Sequence, residues 1–233
     1  MRIAVFSDIH GNAINLEHFF RVSENLNIDE FVCLGDLCNY YPDGEKVVSM
    51  LKDNGCICLL GNHDQMYLDS SELSEGKKIA YNFNHELMNN ELFMNYLKRL
   101  PNTHQLLMQG KKIFFCHGSP IDPLDEYVYP DSDLERFDAL NLDVVFMGHT
   151  HRQFLKKIKN KIYCNVGSIG QPRDKGNMFG FVVFDTDKWE VFLYRVISNV
   201  DKIINQYKNK TSKEVLQLLN KNEEINFEYT LLK

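Results

Sequence analysis

Five short apolar runs, each broken off by a polar group of Asp, Asn or His, constrain this chain more than any other feature. Ile3-Ala4-Val5-Phe6 leads into Asp8-Ile9-His10-Gly11-Asn12, Phe31-Val32-Cys33-Leu34 into Gly35-Asp36, and Cys56-Ile57-Cys58-Leu59-Leu60 into Gly61-Asn62-His63-Asp64. Ile113-Phe114-Phe115-Cys116 precedes His117-Gly118, and Val144-Val145-Phe146-Met147 precedes Gly148-His149-Thr150-His151. Apolar runs of this length, flanked by Gly and polar residues, read as strands buried on both faces. The polar groups then lie just past strand ends, the edge of an open α/β sheet where ligands collect. Asp8 and His10, like His149 and His151, are two residues apart, so in extended backbone both members of each pair can point to one side. Imidazole and carboxylate are the donors a hard or borderline divalent ion takes.

The rest of the chain fills in around these strands. From Asn12 onward Leu16, Phe19, Phe20, Ser23 and Leu26 share one helical face, and Gly44 to Lys52 repeats the pattern with Val47, Val48 and Leu51. The opening hundred residues therefore read β-α-β-α-β, a largely parallel sheet with right-handed crossovers. Gln65 to His85 is polar and reads as an insertion, mobile or partly helical, over the strand ends. Glu86 to Leu100 returns to helical spacing until Pro101 ends it. Strands are expected at Thr103–Met108, Lys112–Cys116, Val144–Met147, Phe154–Ile158, Ile162–Asn165, Phe179–Asp185 and Glu190–Val196, with hairpins at Lys159-Asn160-Lys161 and Thr186-Asp187-Lys188. Residues 198–233 read as one or two charged helices with a narrow apolar stripe.

Composition excludes several alternatives. A chain of 233 residues that is 44% hydrophobic and 25% charged can build one substantial core. A formal charge of -6 argues against a nucleic-acid surface that works by neutralising phosphates. No segment reaches membrane-spanning length, and the four-residue run before Ser7 lacks the apolar core of a signal peptide. Cys33, Cys56, Cys58, Cys116 and Cys164 lie in strand-like runs, where a free Cys behaves as a small hydrophobe. With no Cys-x-x-Cys pair, a reducing cytoplasm is the expected compartment. Cys38 stands apart, two residues beyond Asp36. His18, His85 and His104 match no motif and read as surface or helix-face residues.

Asp8-x-His10, Gly35-Asp36, Gly61-Asn62-His63-Asp64, His117 and Gly148-His149-x-His151 together resemble the calcineurin-like metallophosphoesterase superfamily over roughly residues 1–197. The resemblance is strongest to its small prokaryotic phosphodiesterase-like branch, through Asn39-Tyr40-Tyr41-Pro42 and Asn165-Val166-Gly167-Ser168-Ile169-Gly170-Gln171-Pro172-Arg173. It implies an α/β fold of two mixed β-sheets packed face to face with flanking helices; residues 198–233, beyond its reach, are expected as a helical extension packed on the same domain. It further implies two divalent metal ions, one held by Asp8, His10 and His151, the other by Asn62, His117 and His149, with Asp36 bridging. Manganese, iron, zinc or nickel suits such donors. Two ions about 3.5–4 Å apart would orient a phosphate for in-line attack by a bridging hydroxide.

The expected activity is hydrolysis of phosphodiester or phosphoanhydride bonds in a small phosphorylated or nucleotide substrate, with no membrane or nucleic-acid partner. The alternatives are a phosphomonoesterase on the same site and a non-catalytic scaffold, as the retromer subunit of the superfamily illustrates. His63 would protonate the leaving oxygen or stabilise its charge. Asp64 would orient His63 or hold the turn. Protein phosphatases of the superfamily carry Asp and Arg where this chain has Asn39 and Tyr40, which weakens that reading. Arg173 is a candidate phosphate clamp or a loop-anchoring ion pair. Tyr40 and Tyr41 would stack on a base or pack beside Pro42.

Overall fold

Alternation along the first apolar run decides the layering of the molecule, whose computed structural model describes residues 1–232. In β1 (Arg2–Phe6), Ile3 and Val5 face one way and Ala4 and Phe6 the other, as the two-residue period of a strand requires. Ile3 and Val5 meet the side chains of a second sheet, including Ile113, Phe115, Val144 and Phe146. Ala4 and Phe6 meet helices, among them Leu16 and Phe19 of α1 (Ala13–Ser23) and Val47, Val48 and Leu51 of α2 (Gly44–Asp53). Each such large side chain removed from water stabilises the fold by about 1.5–3 kcal/mol. Asn12 starts α1 by accepting a hydrogen bond from the Asn15 amide at 3.2 Å.

Two mixed sheets result. β1 pairs in parallel with β2 (Glu30–Cys33), and β2 with β3 (Ile57–Cys58). On its other side β1 runs antiparallel to β9 (Met178–Asp185), which pairs with β10 (Glu190–Ile197), with β11 (Thr230–Leu232) at the edge. The second sheet has the order β4 (Thr103–Met108), β5 (Lys111–Cys116), β6 (Val144–Met147), β8 (Lys161–Asn165), β7 (Phe154–Ile158). Within it β5, β6 and β8 are parallel, and the outer strands are antiparallel. Its outer face is covered by the loop carrying Val128 and Leu134 and by a 3-10 turn at Glu135–Leu140.

The polar stretch after β3 is more ordered than its composition suggests. α3 (Asn62–Leu68) starts inside the Gly61-Asn62-His63-Asp64 motif, and α4 (Glu75–Ala80) follows after Ser74 accepts from the Lys77 amide. The single helix expected over Glu86–Leu100 is two, α5 (His85–Met88) and α6 (Glu91–Leu97). The break falls at Asn89-Asn90 because the Asn90 side chain caps α6 by accepting from the Phe93 amide at 3.1 Å. The C-terminal segment carries α7 (Val200–Tyr207) and α8 (Lys213–Gln217), and adds the edge strand β11 that helical spacing does not signal. Ile203, Tyr207, Val215 and Leu219 pack on Ile14 and Tyr41, next to the first two polar loops.

Candidate metal centre

The polar loops after β1 and β2 are zipped together by their backbones. Asp8 N donates to the Gly35 carbonyl, Ile9 N and His10 N to that of Asp36, and Gly11 N to that of Leu37, at 2.9–3.0 Å. The two-residue spacing of Asp8/His10 and His149/His151 does bring each pair to one place, but not through extended backbone. All four residues are left-handed, with φ of 56°, 51°, 65° and 58°, and Asp36 is likewise at 55°. Asp, Asn and His tolerate this region better than most residues, yet each such residue costs of order 1–3 kcal/mol and persists only where its surroundings hold it.

The motif glycines make room for the carboxylates. A Cβ on Gly61 would sit 2.2 Å from both the amide nitrogen and Oδ1 of Asp36. One on Gly148 would sit 2.4 Å from Ser7 Oγ and 2.8 Å from Asp8 Oδ2.

Two clusters form, Asp8-His10-Asp36-His151 and Asp36-His117-His149, with Asp36 common to both. In the first, His10 Nε2 lies 3.0 Å from His151 Nε2, which lies 3.2 Å from Asp8 Oδ1. In the second, His117 Nε2 lies 3.0 Å from Asn62 Oδ1 and 3.1 Å from His149 Nδ1. Asp36 Oδ2 stands between them, 3.5 Å from His10 Nε2 and 3.4 Å from His117 Nε2. Ring nitrogens and carboxylate oxygens of this kind, buried and converging, could hold metal ions.

What surrounds the clusters orients them. Asp8 Oδ2 accepts from His149 N at 3.0 Å and Asp36 Oδ1 from His63 N at 2.8 Å. The other oxygens, Asp8 Oδ1 and Asp36 Oδ2, are buried without a hydrogen-bond partner among the described residues. An anionic oxygen stripped of water and left unpaired is costly, and a cation removes that cost. Each histidine donates its far nitrogen to a backbone carbonyl: His10 Nδ1 to Cys38 and His117 Nδ1 to Leu34 at 3.1 Å, His151 Nδ1 to Gln171 at 2.6 Å, His149 Nε2 to Asp125 at 3.1 Å. That fixes the tautomer in which the inward nitrogen carries the free lone pair, as metal-ligating histidines require.

The electrostatics agree. Burial works against charge on Asp8 and Asp36, but His151 beside the first and His117 beside the second hold both carboxyls below their usual range. Burial also disfavours a charged His117, yet the Asp36 carboxylate outweighs it and pushes the imidazole up to about 9. The pocket thus favours positive charge, which a proton or a metal ion displacing it would supply.

His63 is placed beside the clusters without joining them, its ring 4.9 Å from that of His10. Burial lowers it to about 4. Asn39 Nδ2 lies 2.9 Å from His63 Nδ1 and also reaches the His63 carbonyl at 3.5 Å. An amide nitrogen only donates, so Nδ1 accepts and the ring proton sits on Nε2. Of the two roles open to Asp64, the geometry shows the turn: its oxygens accept from the amides of Gly61 and Leu37 and from Cys38 Sγ. Asn39, not Asp64, is the partner of His63; the sequence signal was its occupancy of the position that is Asp in protein phosphatases.

Aromatic rings wall the centre. Tyr40 lies 4.7 Å from His10 and 5.0 Å from His63, and Tyr81 lies 4.8 Å from His63. Tyr127 stacks on His149 at 3.9 Å, a neighbour no spacing in the sequence betrays. Tyr41 instead packs on Tyr207 under the C-terminal helices. Arg173 forms no ion pair among the described residues and stands near the Tyr40 and Tyr127 hydroxyls; burial pushes the Tyr40 phenol up to about 12, against the pull of that guanidinium. His18 and His85 lie away from the centre on helices, whereas His104 is on strand β4, against Phe115. All six cysteines are free, and no helix among the described residues is long and apolar enough to cross a membrane.

Known proteins resemble this chain in sequence and in fold. An uncharacterized protein of Methanocaldococcus jannaschii is 31% identical over 219 residues, 86% of this chain and 89% of that relative. A metallophosphoesterase structure from Sphaerobacter thermophilus superposes with a TM-score of 0.76 at 24% identity, covering 94% of this chain and 98% of the other. A hypothetical protein from Pyrococcus horikoshii OT3 does so with a TM-score of 0.79 at 20% identity, over 96% and 99%. At these identities the structures speak for the fold alone. The model of the calcineurin-like phosphoesterase superfamily domain matches residues 1–189, and with five strand-end loops converging as described, the chain belongs to that superfamily.

Proposed function

We propose that this chain is a dinuclear metal-dependent phosphoesterase that hydrolyses phosphodiester or phosphoanhydride bonds of small molecules or nucleotides. The observation that carries it is Asp36 Oδ2: buried, unpaired, and within 3.5 Å of a histidine nitrogen from each cluster. A carboxylate is suited to this position because its charge offsets two cations at once. Asp8, His10 and His151 would complete one site, and Asn62, His117 and His149 the other. Nitrogen and oxygen donors of this set suit manganese, iron, zinc or nickel. When bound, such ions supply Lewis-acid stabilisation of phosphoryl oxygens and an acidified water near neutral pH.

The chain's own groups do the rest. Asn39 holds the proton of His63 on Nε2, so this edge is a hydrogen-bond donor for the charge that develops on a leaving oxygen. Arg173, which forms no ion pair among the described residues, is available to a phosphate oxygen, and the Tyr40 ring screens His10 and His63 from water. Free buried thiols suit a reducing compartment such as the cytoplasm.

The test is hydrolysis of bis(p-nitrophenyl) phosphate and of p-nitrophenyl phosphate by purified protein, before and after chelation. Turnover of the diester that disappears with the metal and returns with manganese is expected. Undiminished turnover by metal-free protein would refute the reading, and turnover of the monoester alone would move it to a phosphomonoesterase.

A further inference from the structure

Tyr40 and Tyr81 have a second side. Behind them opens a cleft of about 520 Å³, within the roughly 300–1,000 Å³ of small-ligand sites. Four segments far apart in sequence line it, among them Tyr40 from the loop after β2, Ile79, Ala80 and Tyr81 from the end of α4, and Val215 and Leu218 from the C-terminal helices. Gln171 and Arg173 form the side toward the metal centre, where the Gln171 carbonyl holds His151. The segments are tied together: Tyr40 N donates to the Tyr81 carbonyl at 2.8 Å, and Asn82 Nδ2 donates to the carbonyls of both Tyr40 and Lys210, at 3.0 and 2.7 Å.

Taking the phosphoesterase reading as its basis, we infer that this cleft is the nucleoside subsite: it seats the base and sugar of a nucleotide substrate whose phosphate lies at the Asp-His clusters. Continuity through the Tyr40 and Tyr81 rings puts the cleft one side chain from His63. Two aromatic walls favour a flat ring over an aliphatic chain. Arg173 and Glu214 are the charged side chains lining it, one cationic and one anionic. With the two charges opposed, the cleft carries no net charge of its own, and an uncharged sugar and base meet hydrogen-bonding groups. Gln171, 3% exposed, lines the cleft and leaves its Oε1 without a partner among the described residues, an acceptor for a hydroxyl or ring N–H after a small rotation. The C-terminal segment thereby acquires a role in choosing substrate.

Inhibition of bis(p-nitrophenyl) phosphate hydrolysis by the manganese-loaded protein tests this. Thymidine 5′-monophosphate, methyl phosphate and octyl phosphate carry the same phosphate, so differences in their inhibition constants report the cleft. Thymidine monophosphate is expected to inhibit at least about tenfold more tightly than the other two, a difference of about 1.4 kcal/mol. The exposed Ala80→Trp fills the cleft without disturbing the core and is expected to abolish that advantage. Equal inhibition by all three, or by thymidine monophosphate and octyl phosphate, would overturn the inference, as would an advantage untouched by Ala80→Trp. Saturation-transfer NMR of thymidine with metal-free protein separates this from failure of the phosphoesterase reading. Transfer to thymidine that disappears in Ala80→Trp upholds the nucleoside subsite even if no ester is hydrolysed; no transfer, or equal transfer from both proteins, overturns it.

Discussion

At the scale of single residues, one oxygen atom differs from all others in the site. Asp36 Oδ2 is shared by both clusters, whereas Asp8 Oδ1 belongs to one. Asp36→Asn is therefore expected to lower phosphoesterase rate by more than about 10²-fold and to deplete both metals, with Asp8→Asn milder and depleting one. Metal analysis beside the rate checks this, and two retained ions with a near-native rate in Asp36→Asn would deny the bridge. His63→Ala is expected to keep both metals and lose about 10²–10⁴-fold in rate on an alkoxide leaving group, but far less on nitrophenolate, which needs no help to depart. An equal deficit on both would remove His63 from the leaving-group side.

Most of the residues that converge in the two clusters were legible because their types and order form a specific pattern. What the sequence could not show was how they converge: left-handed backbone at Asp8, His10, His149 and His151 follows from the zipping of adjacent loops, a tertiary effect that a two-residue spacing mimics. Asn39 was visible as a departure from a pattern, but its hydrogen bond with His63 was not, since it depends on how α3 begins. Tyr127 carried no signal at all, because its loop meets His149 only in three dimensions.

At the scale of elements, the strands were easier to read than the helices. Val144–Met147, a fully buried apolar run between polar breaks, and Thr103–Met108, paired as a hairpin with β5, emerge with the expected bounds. β3 shrank to Ile57–Cys58: Leu59 N still donates to the Cys33 carbonyl, but Leu60 N leaves the sheet for that of Pro101. β11 escaped notice because three residues at a sheet edge leave no period to detect.

The C-terminal segment is fastened by Arg152, which makes a two-bond pair with Glu223 at 2.5 and 3.1 Å. Hydrogen bonds from Arg152 and Lys221 hold Glu223 down to about 2 from its ordinary 4.5. A depressed carboxyl contributes stability above its unfolded value and loses it as pH falls through the folded one. Glu223→Gln is expected to cost less than about 1 kcal/mol at pH 7, the pair being half open to solvent. In urea titrations its difference from wild type should shrink between pH 4.5 and 2. A difference constant across that range would show that the ion pair contributes nothing.

At the scale of the whole molecule, two sheets carry one centre at their common edge, and the centre stores unfavourable terms: buried unpaired oxygens and several left-handed residues. Ligand binding to the native state alone offsets such terms. With manganese at 100 times its Kd the gain is about 2.7 kcal/mol, or a Tm higher by roughly 5–10 °C for a domain of this size. Thermal unfolding with chelator and then with graded manganese measures it, and a Tm indifferent to metal would mean that the clusters are satisfied without one.

The chain also orders these events in time. His10 meets His151 across 141 residues, and β1 is closed on one side only by β9. A ribosome that has released Asp8, His10 and Asp36 has made three of the four members of the first cluster, with β1 and β2 but not yet β9 or the residues around His151. That cluster is therefore complete only after His151 has joined it, so any ion those four residues hold together would be bound by a chain that is already largely made.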